Sequence, residues 1–139
     1  SSMESGSGVS TLLLASCVEH HTALENNPKV REDVQKGLWL HGLDAFLPKV
    51  SLVGSPKWYA NGITPRPVDL ILIDGPVGRI GRHGAIDAVG DWCHKSTIIV
   101  VDDTHREAER RIASIISSSR KMTVASTDGA HGYSVLYPT

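Results

Sequence analysis

The sequence is poor in aromatic residues, with one Phe, three Trp and three Tyr among 139 residues. A core must therefore rest on Val, Ile, Leu and Ala, a composition that suits buried parallel strands covered by helices. Charge of one sign is also lacking. Fourteen basic and 15 acidic side chains leave a formal net charge of −1, which argues against a chain built mainly to hold a polyanion. Cysteine is scarce: Cys17 and Cys93 form no close-spaced motif, so two free thiols are expected rather than a disulfide framework or a thiolate metal site. No apolar run approaches the length of a membrane span, and no repeat or low-complexity tract is present. The small, polar start carries no secretory leader pattern. These absences lead us to expect a cytoplasmic protein with no nucleic-acid partner and no membrane partner. Nothing in them opposes a homo-oligomer.

What is present is strand and helix signals in alternation, the pattern of a doubly wound, mostly parallel α/β sheet in a single domain spanning 1–139. Ser1–Met3 reads as the end of a strand that begins upstream. A helix is expected over Ser10–Cys17, and a strand over His20–Leu24. Asn27 and Pro28 form a good helix start, with Asn27 as cap and proline where a first turn tolerates it. Val30, Val34 and Leu38 then recur every four residues as one apolar face. Lys49–Val53 reads as a short strand and Gly54–Pro67 as a long loop holding Trp58 and Tyr59, which either cover a ligand or pack the loop down. Val68–Ile73 and Thr97–Val101 are the two buried-strand signals, and Ala85–Trp92 has helical spacing. Thr104 and Glu107 match a capping box, with Ala108, Ile112, Ile115 and Ile116 as the face of the helix that follows. Met122–Ser126 and Tyr133–Tyr137 are expected to pair as an antiparallel C-terminal hairpin.

Ligands of an open parallel sheet sit beyond the C-terminal ends of its strands. The polar residues of this chain collect at those ends: Glu4, Glu25, Ser55, Asp74, and Asp102 with Asp103. Gly6-Ser7-Gly8 follows a strand and opens a helix, so the backbone can turn tightly and its free amides can meet an anionic group. Thr11 stands where a dinucleotide fingerprint would have its third glycine, and no Gly-Lys-Ser/Thr follows. Both absences speak against a nicotinamide-dependent oxidoreductase and a P-loop enzyme. Glu25 lies 17 residues after Gly8, at the end of the next strand, where a carboxylate can accept hydrogen bonds from ribose hydroxyls.

Glu4-Ser5-Gly6-Ser7-Gly8-Val9-Ser10-Thr11 resembles motif I of the class I S-adenosylmethionine-dependent methyltransferases, in an E-x-G-S-G-x-S-T variant. Leu24-Glu25-Asn26-Asn27-Pro28 resembles their segment after the second strand, Leu72-Ile73-Asp74-Gly75-Pro76 their I-D-G-P after the fourth, and Val101-Asp102-Asp103-Thr104-His105-Arg106 the D-D-T-x-R of a subgroup of small members. The ordered set covers nearly the whole chain. The resemblance implies a seven-stranded sheet with the last strand antiparallel, and S-adenosylmethionine as cofactor. It implies that Glu4, Gly6 and Gly8 hold the methionine part and Glu25 the ribose, that Ser55 and Asp74 flank the adenine and the methyl group, and that Ser7, Ser10, Thr11 and Asn26 also serve the cofactor, Asn26 on the adenine side. Asn26-Asn27 departs from the family's His-Asp, and the N-terminal helical region that often closes the site is not in this chain.

The expected reaction is methyl transfer to a small acceptor, the alternative a noncatalytic S-adenosylmethionine-binding module. The cofactor carries the activation, so the protein chiefly aligns the reacting atoms. Asp74, Asp103 and His105 are the candidate bases, and Arg79, Arg82 and His83 could receive an acidic substrate, although solvated loop charges are the commoner case. Asp74, Asp102 and Asp103 are also a candidate Mg²⁺ set, since oxygen ligands from neighbouring strand ends suit that ion. Helix capping by Asp103 and backbone contact by Asp102 is the preferred reading of that pair. His20-His21 is read as structural, and the basic stretch Arg106–Lys121 as a solvated helix face.

Overall fold

The computed structural model describes residues 1–60, 63–127 and 129–139. Four strands run parallel in the order β2 (His21–Leu24), β1 (Ser2–Ser5), β5 (Val68–Ile73) and β6 (Cys93–Val101). The antiparallel strand β8 (Ser134–Pro138) pairs with β6, and β7 (Met122–Ser126) closes that edge against β8. At the other edge, parallel bridges join Thr22 to Phe46 and Glu25 to Lys49, so residues 46–49 lie beside β2 as a rudimentary further strand. This is the expected mostly parallel sheet with an antiparallel C-terminal hairpin, with six strands among the described residues where the resemblance implies seven, and the bridges at 46–49 in the place of a seventh.

All four residues of β1 are buried, and β5 buries Val68, Ile71 and Ile73. These central strands are covered by the helices that connect them. Helices α1 (Val9–Cys17) and α2 (Pro28–Leu40) pack on each other where Gly37 meets the Leu12 side chain. Asn27 caps α2 as expected, its Oδ1 accepting from the amides of Lys29 and Val30 at 3.0 and 3.4 Å. Val34 and Leu38 are buried with Ala15, and Val30 packs against them. The larger cluster joins Met3, Leu24, Ile71, Ile73, Ile99 and Leu136 to Ile112 and Ile116 of α4 (Glu107–Arg120).

Three local expectations fail. The stretch expected as loop holds a strand, β4 (Trp58–Ala60), which pairs as a hairpin with the expected strand, β3 (Ser51–Val53), so that Leu52 faces Tyr59. A three-residue strand is too short to show a period, and the Gly- and Pro-bearing turn at 54–57 before it masks it. Within the same expected loop, positions 61 and 62 lie outside the described residues, as does 128 in the C-terminal turn. The capping box is also absent. Helix α4 starts at Glu107 with Arg106 as its uncapped flank, while Thr104 is buried and accepts from the Ser134 hydroxyl at 3.2 Å. The buried face of α4 is Glu109, Ile112, Ala113, Ile116 and Ser117, and Ala108 points outward. Finally, Ala85–Trp92 divides into one turn of α-helix, α3 (Ala85–Ala88), and a 3-10 turn. Among the described residues no helix is long and apolar enough to cross a membrane.

Candidate functional site

The parallel strands all end on one side of the sheet, and the loops that follow them enclose a cleft of about 380 Å³. Of the predicted residues, Gly6, Ser7, Glu25, Asn26, Asp74, Arg82 and Asp103 line it. Two larger hollows, of about 450 and 660 Å³, lie at the opposite ends of the strands, around Cys93 and Thr139 and around Ser1 and Trp92. Neither touches a strand-end carboxylate.

The first loop is built on Gly6, whose φ of +87° is open to glycine and strained for other residues. A Cβ there would also press on the backbone of Gly75 at 3.2 Å. Behind the loop runs a buried polar chain. Ser2 Oγ meets His21 Nδ1 at 2.8 Å, His21 Nε2 meets Glu4 Oε1 at 3.2 Å, and the Thr11 hydroxyl donates to that same oxygen. Thr11 Oγ1 in turn accepts from the Gly8 amide at 3.0 Å. Glu4 and Thr11 are fully buried and do not line the cleft. They brace the turn from behind, and His21 is structural as expected. The other oxygen of Glu4, Oε2, is buried with no hydrogen-bond partner among the described residues.

Glu25 joins two loops. Its Oε2 accepts from the amide and hydroxyl of Ser7, each at 3.1 Å, and its Oε1 accepts from the Asn27 amide at 2.7 Å. Asp74 follows β5 and stands opposite Asp102 and Asp103, which follow β6. One oxygen from each of the three lies within 4.8 Å of the others. Burial first, then the neighbouring Asp102 and Asp103, push the Asp74 carboxyl up to about 6 against the opposing pull of Arg82. Asp103 has a left-handed backbone, φ 60°, a conformation that costs a non-glycine residue about 1 kcal/mol or more.

Arg82 is not the solvated loop charge that its position in the sequence implies. It is 3% exposed. Its Nη2 donates to Asp74 Oδ1 at 3.0 Å and to Asp103 Oδ2 at 2.9 Å, and its Nη1 to the carbonyl of Asp102 at 2.9 Å. Arg106, unremarked as a site residue in the sequence, adds its Nη1 to the same Asp103 oxygen at 2.9 Å and lines the cleft. Asp103 is therefore engaged by two arginines and does not cap α4, whose flanking residue is Arg106. The local signal for Arg82 was indirect: three carboxylates converging from two neighbouring strand ends demand a cation. Mg²⁺ gains no support, because the guanidinium bridges two of its three candidate ligands.

Tyr59, from the unforeseen strand β4, is a further lining residue. Its ring is buried and its hydroxyl lies over Gly75, where a Cβ would strike both the phenol oxygen and, at 2.6 Å, the Gly6 amide nitrogen. Burial pushes the phenol well above its usual range. The other predicted residues stand outside the lining. Ser55 is exposed in the β3–β4 turn, Arg79 and His83 are exposed on the loop after Asp74, and Gly8 and Ser10 lie at the start of α1. His105 has its Nδ1 3.9 Å from Asp103 Oδ1 and its ring beside that of His131, centroids 6.2 Å apart.

No protein-family model matches the sequence, and neither does any curated protein. Solved structures do match. A 16S rRNA methyltransferase from T. thermophilus, in complex with AdoMet and guanosine, superposes with a TM-score of 0.72 at 13% identity over 99% of this chain. This chain spans 37% of that protein's length. A ribosomal protein L11 methylase from Lactobacillus delbrueckii subsp. bulgaricus gives 0.70 at 13% identity, over 99% of this chain and 69% of the other. A SAM dependent methyltransferase from Aquifex aeolicus gives 0.68 at 12% identity, over 98% and 80%. The fold is that of the S-adenosylmethionine-dependent methyltransferases. These neighbours correct one expectation. Two of the three are named for ribosomal RNA or a ribosomal protein, so a small-molecule substrate and the exclusion of nucleic acid do not stand.

Proposed function

We propose that this chain binds S-adenosylmethionine in the cleft and transfers its methyl group to RNA. The observation that carries the cofactor reading is the meeting of the Gly6 turn, Glu25 and Asp74 at the ends of three neighbouring parallel strands. The donor set fits the cofactor's two halves. Glu25 offers carboxylate oxygens to a ribose, and the uncapped start of α1 offers amides to a carboxylate. Glu4 Oε2, with no partner among the described residues, adds a buried acceptor behind that turn. When bound, the cofactor supplies a methyl group already activated on a sulfonium.

The residues of the chain then align and deprotonate. Asp74 faces the cleft, and its raised pKa of about 6 leaves it ionised at neutral pH yet basic enough to take a proton from the acceptor. Arg82 holds that carboxylate in place. Arg79, exposed, and Arg106 at the cleft give local cations for phosphate groups, and the exposed His83 a ring N–H donor. A net charge of −1 restricts that attraction to the mouth of the site. RNA is therefore favoured over protein as the acceptor, in keeping with the neighbour named for ribosomal RNA.

Calorimetric titration with S-adenosylmethionine, S-adenosylhomocysteine and NAD tests the cofactor. The first two should bind and NAD should not; absence of binding by the first two at millimolar concentration sinks the reading. Transfer of a tritiated methyl group into total RNA, with total protein as the parallel sample, tests the acceptor. Label in protein alone would replace RNA, and binding without transfer to either would mark a noncatalytic module.

A further inference from the structure

Asp74, Asp102 and Asp103 bring one carboxylate oxygen each within 4.8 Å of one another, and a cation among them offsets the mutual repulsion of such a cluster. The cation present is part of the chain. Arg82 Nη2 sits between Asp74 Oδ1 at 3.0 Å and Asp103 Oδ2 at 2.9 Å, with Nη1 on the Asp102 carbonyl at 2.9 Å. It is 3% exposed, and its Nε has no acceptor among the described residues. A guanidinium buried this far is tolerated where carboxylates surround it, and its planar fork can serve two strand ends at once. Arg106 supports the arrangement from the rim, at 2.9 Å from the same Asp103 oxygen.

We infer that Arg82 is the resident cation of this site: its guanidinium takes the place of a divalent metal among Asp74, Asp102 and Asp103 and positions the first and last of them at the cleft. The role is one of positioning. Arg82 ties the loop after β5 to the loop after β6, and it does so without an exchangeable ion. The inference stands on the ion-pair geometry and is independent of what the cleft binds.

Manganese titration followed by electron paramagnetic resonance tests it on the full chain. In wild type the free Mn²⁺ signal should persist into the millimolar range. Arg82→Ala should capture one Mn²⁺ per chain at least about tenfold more tightly, because three carboxylates are left facing one another. Arg82→Lys, which keeps a charge there, should stay as metal-free as wild type. Asp103→Asn added to Arg82→Ala should abolish the capture. Should Arg82→Ala melt without cooperativity, added Mn²⁺ is expected to restore its thermal transition. Stoichiometric Mn²⁺ binding by wild type at micromolar concentration overturns the inference. So does a folded Arg82→Ala that gains no metal, or an unfolded one that Mn²⁺ does not restore.

Discussion

Glu25 holds Ser7 by both of its donors: one carboxylate oxygen takes the backbone amide and the hydroxyl, each at 3.1 Å. The residue proposed to hold a ribose is thus also the tie between the loops after β1 and β2. Glu25→Ala should lower affinity for S-adenosylmethionine by about ten- to a hundredfold, the worth of one or two hydrogen bonds to a charged group. Glu25→Gln, which keeps an acceptor toward Ser7, should lose less. Calorimetry compares them, and equal affinity in wild type and Glu25→Ala would remove Glu25 from the binding site.

Two glycines separate fold from binding. A Cβ on Gly75 would lie 2.6 Å from the Gly6 nitrogen and strike the Tyr59 phenol. Gly75→Ala should therefore cost about 1–3 kcal/mol in denaturant unfolding, as overpacking does. At Gly8 an added methyl would meet nothing within 4 Å, and the φ of 171° is extended backbone. Gly8→Ala should leave stability within about 0.5 kcal/mol of wild type while weakening S-adenosylmethionine binding. Unaltered binding would show that the glycine is not needed for close approach of the cofactor.

Thr11 belongs to the brace behind the loop, since its hydroxyl accepts from Gly8 and donates to the buried Glu4. Thr11→Val has nearly the same shape, strands the Gly8 amide and leaves Glu4 Oε1 with His21 alone. It should cost about 1–3 kcal/mol of stability, the penalty for leaving buried polar groups unpaired. Full stability with lost cofactor affinity would instead make Thr11 a direct contact.

Asp74 makes stability depend on pH with a definite sign. Its folded pKa of about 6 lies above the ordinary 3.8, so the folded state binds the proton more tightly than the unfolded state does. The favourable contribution is full below the ordinary value and is lost as pH rises through about 6. Relative to Asp74→Asn, wild type should lose stability between pH 4 and 6 (~2 pH units of window) and then level off. A difference that stays flat with pH, or grows in the opposite direction, would refute the raised pKa.

The order of strand and helix signals, the strand-end placement of Glu25 and Asp74, the Asn27 cap and the Val34–Leu38 face were all legible in the sequence. Each depends on local spacing and on the direction in which parallel strands run, and both are properties of the chain itself. The tertiary structure alone decided the rest. It turned Arg82 from a loop charge into a buried bridge between residues 8 and 21 positions away. It placed Tyr59 over the Gly6–Gly75 contact and set Glu4 and Thr11 behind the cleft rather than in it. The physical reason is common to all three. Which cation neutralises a carboxylate, and which side chain fills a gap, depends on distances between strand ends that only the assembled sheet fixes.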